Sequence, residues 1–393
     1  MSKQLIDRSP DLKRLRDEGY HLEVDAAAYL IVRDIPYVDS SKAMRRGALV
    51  SKLTLAGDVA TRPDNHVAYF SGDQPCSADV REIEQIKNPN RPPNGVPANL
   101  TFSAKPMPSG FYEDYYDKVT AYIAILSGPA IAIDSSVTAK TFPPIPTEEG
   151  DDSPFHYIDT ASSRAEITGV TKKLETRKIA IVGLGGTGSY VLDLVSKSPV
   201  KEIHLFDGDE FLSHNAFRSP GAPSLEDLRA KPRKASYFKA IYSKMHRGIV
   251  DHEAYAADAN TDIFRDMDFV FLCIDNGPAR KSLVQKLEKF GISFIDVGMG
   301  VDLTDDALGG ILRVTTSTPE QRDHFRNRVS FAEADDLGEY GSNIQIADLN
   351  ALNAALAVVK WKKLFGFYRD LEREYTSTYT IDGNHLTNVD RLA

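Results

Sequence analysis

The residues of this chain best equipped for chemistry begin in IVGLGGTGSYVLDLV (181–195), where an apolar run meets Gly183, Gly185, Gly186 and Gly188 and then passes into a helical pattern. Glycines at this spacing let the backbone turn tightly, approach a phosphate group and present free helix N–H groups to an anion. The turn alone leaves two chemistries open: a dinucleotide held for hydride transfer, or ATP held for cleavage. Asp207, at the end of the next apolar run EIHLFD, would accept hydrogen bonds from a ribose hydroxyl in either case. DGDEFLSHNAFRSPG (207–221) then brings Asn215 and Arg218, and AKPRKASYFK (230–239) brings Lys231, Arg233 and Lys234 to a helix start. An amide, a guanidinium and an ammonium suit a phosphate chain, because Arg grips two oxygens at once and Lys supplies a point charge. Finally, VFLCIDNGPARK (270–281) closes an apolar run with Asp275 and Asn276, a carboxylate placed to hold Mg2+ on the phosphates. Singly these have plainer readings: a solvated basic face, or a turn and helix cap. Taken together they favour cleavage of ATP over hydride transfer, while a nicotinamide-dependent oxidoreductase and a non-catalytic nucleotide-binding scaffold stay open.

The elements that must position these groups follow from periodicity. After residue 156 short apolar runs alternate with helical patterns: KIAIVG, a helix from Gly188, EIHLFDGD, a helix over Lys234–His246, DFVFLCIDN and a helix from Pro278. SFIDVGMG (293–300) and GGILRVTT (309–316) read as further strands, and ADLNALNAALAVVKWKKLFGF (347–367) as a long helix. Strict alternation predicts an α/β fold, a Rossmann-like and mostly parallel sheet with helices on both faces, whose ligands bind beyond the strand carboxyl ends. Ahead of it, YLIVRDIPYV (29–38), ALVSKLTLAG (48–57) and HVAYFSG (66–72) read as strands and YEDYYDKVTAYIAIL (112–126) as a helix. This makes residues 1–137 a smaller α+β domain, and the proline-rich, acidic TAKTFPPIPTEEGDDSPF (138–155) a linker to a domain over 156–393.

Composition narrows the classes of partner. A chain of 393 residues with 47 Lys+Arg against 56 Asp+Glu has a net charge of −9, so no general attraction to nucleic acid or to an anionic membrane is expected. No apolar run is long and unbroken enough to span a bilayer; VTAYIAILSGPAIAID (119–134) is interrupted by Ser-Gly-Pro. With Cys76 and Cys273 alone, no disulfide framework forms, and a reducing, cytoplasmic setting is expected.

VGLGGTGS, FDGDEFLSHNAFR, KASYFKAIYSKMH and LCIDN, in that order and spacing, resemble the ThiF/MoeB/HesA family of adenylyltransferases, to which the adenylation domains of ubiquitin-activating enzymes belong. The resemblance covers about residues 160–393. It implies ATP-dependent adenylation of the C-terminal glycine carboxylate of a ubiquitin-like or sulfur-carrier protein. On matched positions Asp207 would bind ribose, Asn215, Arg218 and Lys234 would stabilise phosphate charge, and Asp275 would bind Mg2+. Asp209 also matches, with a capping role as the alternative. Arg164, in DTASSRAEITGVTKKL (159–174), takes the place of an arginine often supplied across a homodimer interface, an ordinary surface arginine being the other reading.

The chain departs from the family in its cysteines. No cysteine follows Cys273, which lies inside the apolar FVFLCI, and the paired CxxC zinc site is absent. Cys76, in the polar SGDQPCSADVRE, is expected to be an exposed thiol, and Thr304 is a conceivable hydroxyl acceptor. Otherwise the activated product passes to a conjugating partner enzyme. Residues 1–155 resemble, more loosely, the extension of bacterial ThiF-type proteins associated with ubiquitin-like modifiers, which implies recruitment of modifier or partner; a packing domain is the plainer reading.

Overall fold

The computed structural model describes residues 2–147, 153–176, 178–256, 261–332 and 344–391. The chain separates into two compact units, Met1–Ile145 and Pro146–Ala393. In the first, α1 (Ser2–Arg8) and α2 (Pro10–Asp17) precede an antiparallel sheet of β1 (His21–Val24), β2 (Tyr29–Val38), β3 (Met44–Lys52), β4 (Val67–Ser71) and β5 (Leu100–Ser103), paired in that order. Helix α3 (Tyr115–Ile133) supplies Tyr115, Val119, Tyr122 and Leu126 to the core shared with Leu30, Val32, Phe70 and Phe102. Asp114 caps it, its side chain accepting the Asp117 N–H at 2.8 Å. The helix runs straight through Ser127-Gly128-Pro129, which reads in sequence as an interruption. Buried Leu126, Ser127 and Ala130 carry the apolar spacing across the proline, and that packing outweighs the lost hydrogen bond.

Two polar side chains of this unit are unexpectedly enclosed. Cys76 is 2 % exposed, bridged to Val38 and Glu82, with its thiol raised by burial and by the nearby Glu82 and Asp39 carboxylates. The exposed thiol expected there is therefore corrected: the loop folds back onto the end of β2 and takes the sulfur with it. Lys118, also 2 % exposed, donates from Nζ to the Asn65 carbonyl at 3.0 Å, and burial lowers its pKa from 10.5 to about 8.

The unfolded chain thus binds more protons than the folded one between about pH 8 and 10.5, so stability rises with pH across that window. Lys118→Met removes a burial penalty of roughly 3 kcal/mol and one hydrogen bond of about 1 kcal/mol. It is expected to stabilise at pH 7 by about 2 kcal/mol, an advantage that shrinks toward pH 10.5 in urea denaturation. A difference independent of pH would contradict this account.

In the second unit the sheet has eight strands: β6 (Lys178–Val182), β7 (Glu202–Phe206), β8 (Ile249–His252), β9 (Phe269–Leu272), β10 (Ser293–Thr304), β11 (Ala307–Ser317), β12 (Thr376–Thr380) and β13 (His385–Val389). Their spatial order is β8-β7-β6-β9-β10-β11-β12-β13. The first five run parallel, and β10 to β13 pair antiparallel. The principal helices are α4 (Gly186–Val195), α5 (Lys234–Tyr242), α6 (Gly277–Phe290) and α7 (Ala347–Leu364). β6 lies between β7 and β9, Ile181 facing both Leu205 and Phe271, so connections leave it in opposite directions and open a crevice at its carboxyl end. One core joins Ile179, Ile181, Leu205 and Phe271 to Val191 and Leu192 of α4 and to Ala357 and Trp361 of α7.

β10 and β11 outrun the parallel sheet. Their two-residue turn, Asp305 and Asp306 with φ of 50° and 60°, leaves Thr304 exposed at the tip, its hydroxyl donating to Asp302 at 3.0 Å. Asp296 is level with the last residue of β9, which puts Thr304 roughly 25 Å further along the strand. The ends of the proline-rich segment are docked: the Arg247 guanidinium donates to the Thr147 carbonyl at 2.7 Å and the Phe155 carbonyl at 3.1 Å, whereas Phe142 N–H reaches Gly19 within the first unit. Glu148–Asp152 lie outside the described residues. Among the described residues no helix is long and apolar enough to cross a membrane.

Candidate functional site

The carboxyl ends of β7, β6 and β9 deliver Asp207, the glycine turn and Asp275 side by side. Gly183 has φ of 86°, and a methyl group there would lie 2.6 Å from the Cys273 carbonyl oxygen, so the turn is wedged against the end of β9. A methyl at Gly188 would strike the Gly183 carbonyl, and one at Gly186 would strike the Asn350 amide on α7. Gly185 differs: a methyl there meets nothing within 4 Å. Three glycines are therefore required by packing, while the fourth borders the space into which the first N–H groups of α4 open.

This difference gives a test. Gly188→Ala is expected to cost about 3 kcal/mol by overpacking. Gly185→Ala leaves stability within about 0.5 kcal/mol and still weakens nucleotide binding at least about tenfold, because its Cβ displaces a phosphate from the helix end. Thermal denaturation and equilibrium nucleotide binding of both variants check the pair; equal behaviour would remove Gly185 from the site.

Asp207 is buried, and its carboxylate props the turn: Oδ2 accepts the Leu184 N–H at 2.7 Å and Oδ1 the Asp209 N–H at 2.9 Å. Burial raises its pKa, with Lys234 and these two N–H groups opposing. Lys234, the first residue of α5, is buried with Nζ 3.7 Å from Asp207 and 2.7 Å from Asp209. Asp209 also accepts from the Tyr255 hydroxyl at 2.6 Å, and its backbone carbonyl receives the Lys234 N–H. Burial alone would raise the Asp209 pKa; bonding to Lys234 and Tyr255 outweighs it and lowers it.

Asn215 and Arg218 follow on the short helix Ser213–Ala216 and its exit. Asn215 is buried and caps that helix, Oδ1 accepting the Leu212 N–H at 2.9 Å, while its Nδ2 has no acceptor. Arg218 makes no ion pair among the described residues, and its Nε is buried without a partner. Asn276 is the cap of α6, accepting the Ala279 N–H at 2.8 Å, and Asp275 beside it is exposed. Arg164, itself exposed, ends the short helix Thr160–Arg164 ahead of β6. Cys273 is half-buried, its thiol strongly raised by burial and by Asp296.

The structure adds residues that spacing did not reveal. Asn350 and Asn353 are buried on α7; Asn350 accepts the Thr187 hydroxyl at 2.8 Å and Asn353 donates to the Gly298 carbonyl at 3.0 Å. They stand out in ADLNALNAALAVV only as polar positions on an apolar helix face. Asp296 of β10, fully enclosed, pairs with Arg313 at 2.6 Å and Arg280 at 3.1 Å; its signal was a lone acid in SFIDVGMG.

Arg218 Nε and Asn215 Nδ2 are buried donors without a partner and a methyl group at Gly185 would meet nothing, features that each suit a phosphate chain. No cluster of three or more His, Cys, Asp or Glu side chains suited to a metal occurs among the described residues. An exposed carboxylate such as Asp275 suits Mg2+, which takes few protein ligands and binds largely through phosphates and water.

Among known families, the ThiF family matches residues 161–337. These residues form a ThiF family domain. Residues 10–160 match a domain of unknown function, DUF6791. The chain is 27% identical over 134 residues to the tRNA threonylcarbamoyladenosine dehydratase of Haemophilus influenzae, covering 34% of this chain and 51% of that protein. To the ubiquitin-like modifier-activating enzyme 5 of Drosophila ananassae it is 22% identical over 160 residues, 38% of this chain and 40% of that one. The chain thus spans about half or less of the length of these relatives. A solved structure of E. coli MccB is similar at 18% identity and a TM-score of 0.46, covering 63% of this chain and 71% of that one. The ThiF domain contains the glycine turn, Asp207, Asp209, Asn215, Arg218, Lys234, Asp275 and Asn276; α7 lies beyond the matched residues.

Proposed function

We propose that the ThiF domain uses ATP to adenylate the C-terminal carboxylate of a small protein partner, of the ubiquitin-like or sulfur-carrier kind. The observation that carries this reading is Arg218. A guanidinium without a carboxylate partner among the described residues, in a chain of net charge −9 that also carries a phosphate-type glycine turn, is a cation held for a ligand. The pyrophosphate of an intact dinucleotide is served by the glycine turn and helix end.

In the reaction an oxygen of the partner's carboxylate forms a bond to the α-phosphorus, the bond to the bridging oxygen breaks, and pyrophosphate leaves. Charge stabilisation and positioning carry most of such a step. Asp207 binds ribose while holding the turn; Lys234, kept in place by Asp209, and Arg218 with Asn215 balance the phosphate charge. Asp275 would hold Mg2+, which supplies further neutralisation of the leaving pyrophosphate when bound. Arg164 joins the site from the second copy of a homodimer, and the first unit recruits the modifier or a conjugating enzyme. The name of one relative, a ubiquitin-like modifier-activating enzyme, supports a protein partner; the name of another, a tRNA threonylcarbamoyladenosine dehydratase, shows that ThiF-type relatives also serve other substrates.

The experiment is ATP–pyrophosphate exchange with small proteins ending in glycine, each compared with a form lacking that glycine. Exchange dependent on the terminal glycine is expected. Exchange at background with every such protein, or binding of NAD in preference to ATP with Mg2+, would sink the proposal.

A further inference from the structure

Asp275 stands at the end of a short loop, Cys273–Asn276, whose backbone is gripped from one side by a single residue, Arg280, the fourth residue of α6. One terminal nitrogen of its guanidinium donates to the Ile274 carbonyl, immediately before Asp275. The other donates to the Ser330 carbonyl at 3.0 Å. Its Nε lies 3.1 Å from Asp296 Oδ2, and Asp296 is wholly buried on β10. The opposite carboxylate oxygen takes Arg313 at 2.6 Å, and Arg313 is steadied in turn by the Thr315 hydroxyl at 2.6 Å. Beneath the loop, a methyl group at Gly277 would strike the Phe331 and Ala332 carbonyls, so the start of α6 is pressed against that segment.

From this arrangement we infer that Arg280 is a positioning residue for Asp275, its guanidinium anchored on Asp296 and hooked to the Ile274 carbonyl. The anchor is an ion pair out of solvent: Arg313 hydrogen-bonds one Asp296 oxygen, and Arg280 Nε faces the other at ion-pair distance without hydrogen-bond geometry. A planar fork holds the Ile274 and Ser330 carbonyls at set angles while its Nε keeps the ion pair with Asp296, which an ammonium on a flexible stem cannot reproduce. The triad also carries one positive charge in excess, two Arg against one Asp. Burying it is a cost that the fold bears beside the loop to which an anionic nucleotide would come. The inference rests on the proposed role of Asp275 toward Mg2+, and its test separates the two.

The readout is the Mg2+ concentration at half-maximal binding of a fluorescent N-methylanthraniloyl ATP analogue, followed at equilibrium without turnover. Asp275→Asn is expected to raise this midpoint about tenfold. Arg280→Lys, which keeps a cation near Asp296 and loses the fork, should raise it by a similar factor, with binding in the absence of Mg2+ unchanged. The double variant should then add little to either. An unmoved midpoint in Arg280→Lys, beside a raised one in Asp275→Asn, would overturn the positioning role and leave Asp275 standing. An unmoved midpoint in Asp275→Asn overturns the metal role itself, and with it this inference. Should Arg280→Lys not fold, Arg280→Gln, which keeps an amide donor for Ile274, serves in its place, and a wild-type midpoint there overturns the role equally.

Discussion

Replacing Arg218 by alanine is expected to lower kcat/KM for ATP–pyrophosphate exchange by about 10²- to 10³-fold, the usual consequence of removing one preorganised donor from developing charge. The same change is expected to leave the fold as stable as before or slightly more so. Arg218 breaks no ion pair when it goes, and its buried Nε lacks an acceptor, so the substitution deletes an unsatisfied donor worth about 1 kcal/mol. A loss of activity without loss of Tm is the signature of a group held for a ligand. Arg218→Lys should recover part of the rate, since the charge returns and the two-oxygen grip does not. Calorimetry beside the exchange assay checks this. A Tm that falls in step with activity would make Arg218 a structural residue, and unaltered exchange would remove it from the site.

Lys234→Ala should act in the opposite pattern, losing fold and activity together. Its ammonium is the cation beside both buried Asp207 and partly exposed Asp209, and removing one partner of such a group leaves uncompensated charge. A loss of about 3 kcal/mol is expected at neutral pH, most of it from Asp207, since the exposed side of Asp209 is screened by water. The pH dependence identifies the cause. Asp207 holds its proton more tightly in the folded chain than in the unfolded one, so its contribution favours folding at acid pH and is lost as pH rises through the folded pKa. Lys234 limits that loss. In the variant the folded pKa climbs further, so the stability deficit is greatest at neutral pH and narrows as the pH falls toward the carboxylate range. Denaturation of both proteins between pH 7 and pH 4 measures it; a deficit that widens at acid pH would rule out Asp207 as its source.

How much of this could be seen in the chain beforehand depended on distance along it. The strand–turn–helix around Gly183 declares itself because the residues that turn the backbone and those that pack it are neighbours; Asp207 and Asp275 stand out at the ends of the following apolar runs and Lys234 at a helix start, and the resemblance to the ThiF family gives them expected roles. Helix α4 begins at Gly186, two residues before the Gly188 expected, because the turn's own glycine already has helical geometry. The strand around Cys273 ends at Leu272 for a related reason: Asn276 caps α6 and Arg280 draws the Ile274 carbonyl out of the sheet. What stayed hidden are groups supplied from afar. Asn350 meets Thr187 across 163 residues of chain, and Asp296, Arg280 and Arg313 come from a strand, a helix and an antiparallel neighbour whose register no local pattern sets. β10 and β11 illustrate the same point, since their runs read as strands and their direction depends on the tight turn at Asp305 and Asp306, while β12 and β13 are not read as strands in the sequence. The passage of α3 through Pro129 was hidden too, because the aromatic core that stabilises it comes from elsewhere in the unit.

The burial of Cys76 and the raised thiol of Cys273 bear on the fate of whatever carboxylate is activated here. Neither sulfur is a thiolate near neutral pH, so an alkylating reagent such as iodoacetamide should find no ready target in the native chain and two once it is unfolded. Under the proposed adenylation, an acyl group made reactive by this domain meets no sulfur of its own chain ready to carry it. On that reading a nucleophile brought by another molecule would collect it, and the lifetime of the mixed anhydride and the speed with which a receiver docks would set the yield.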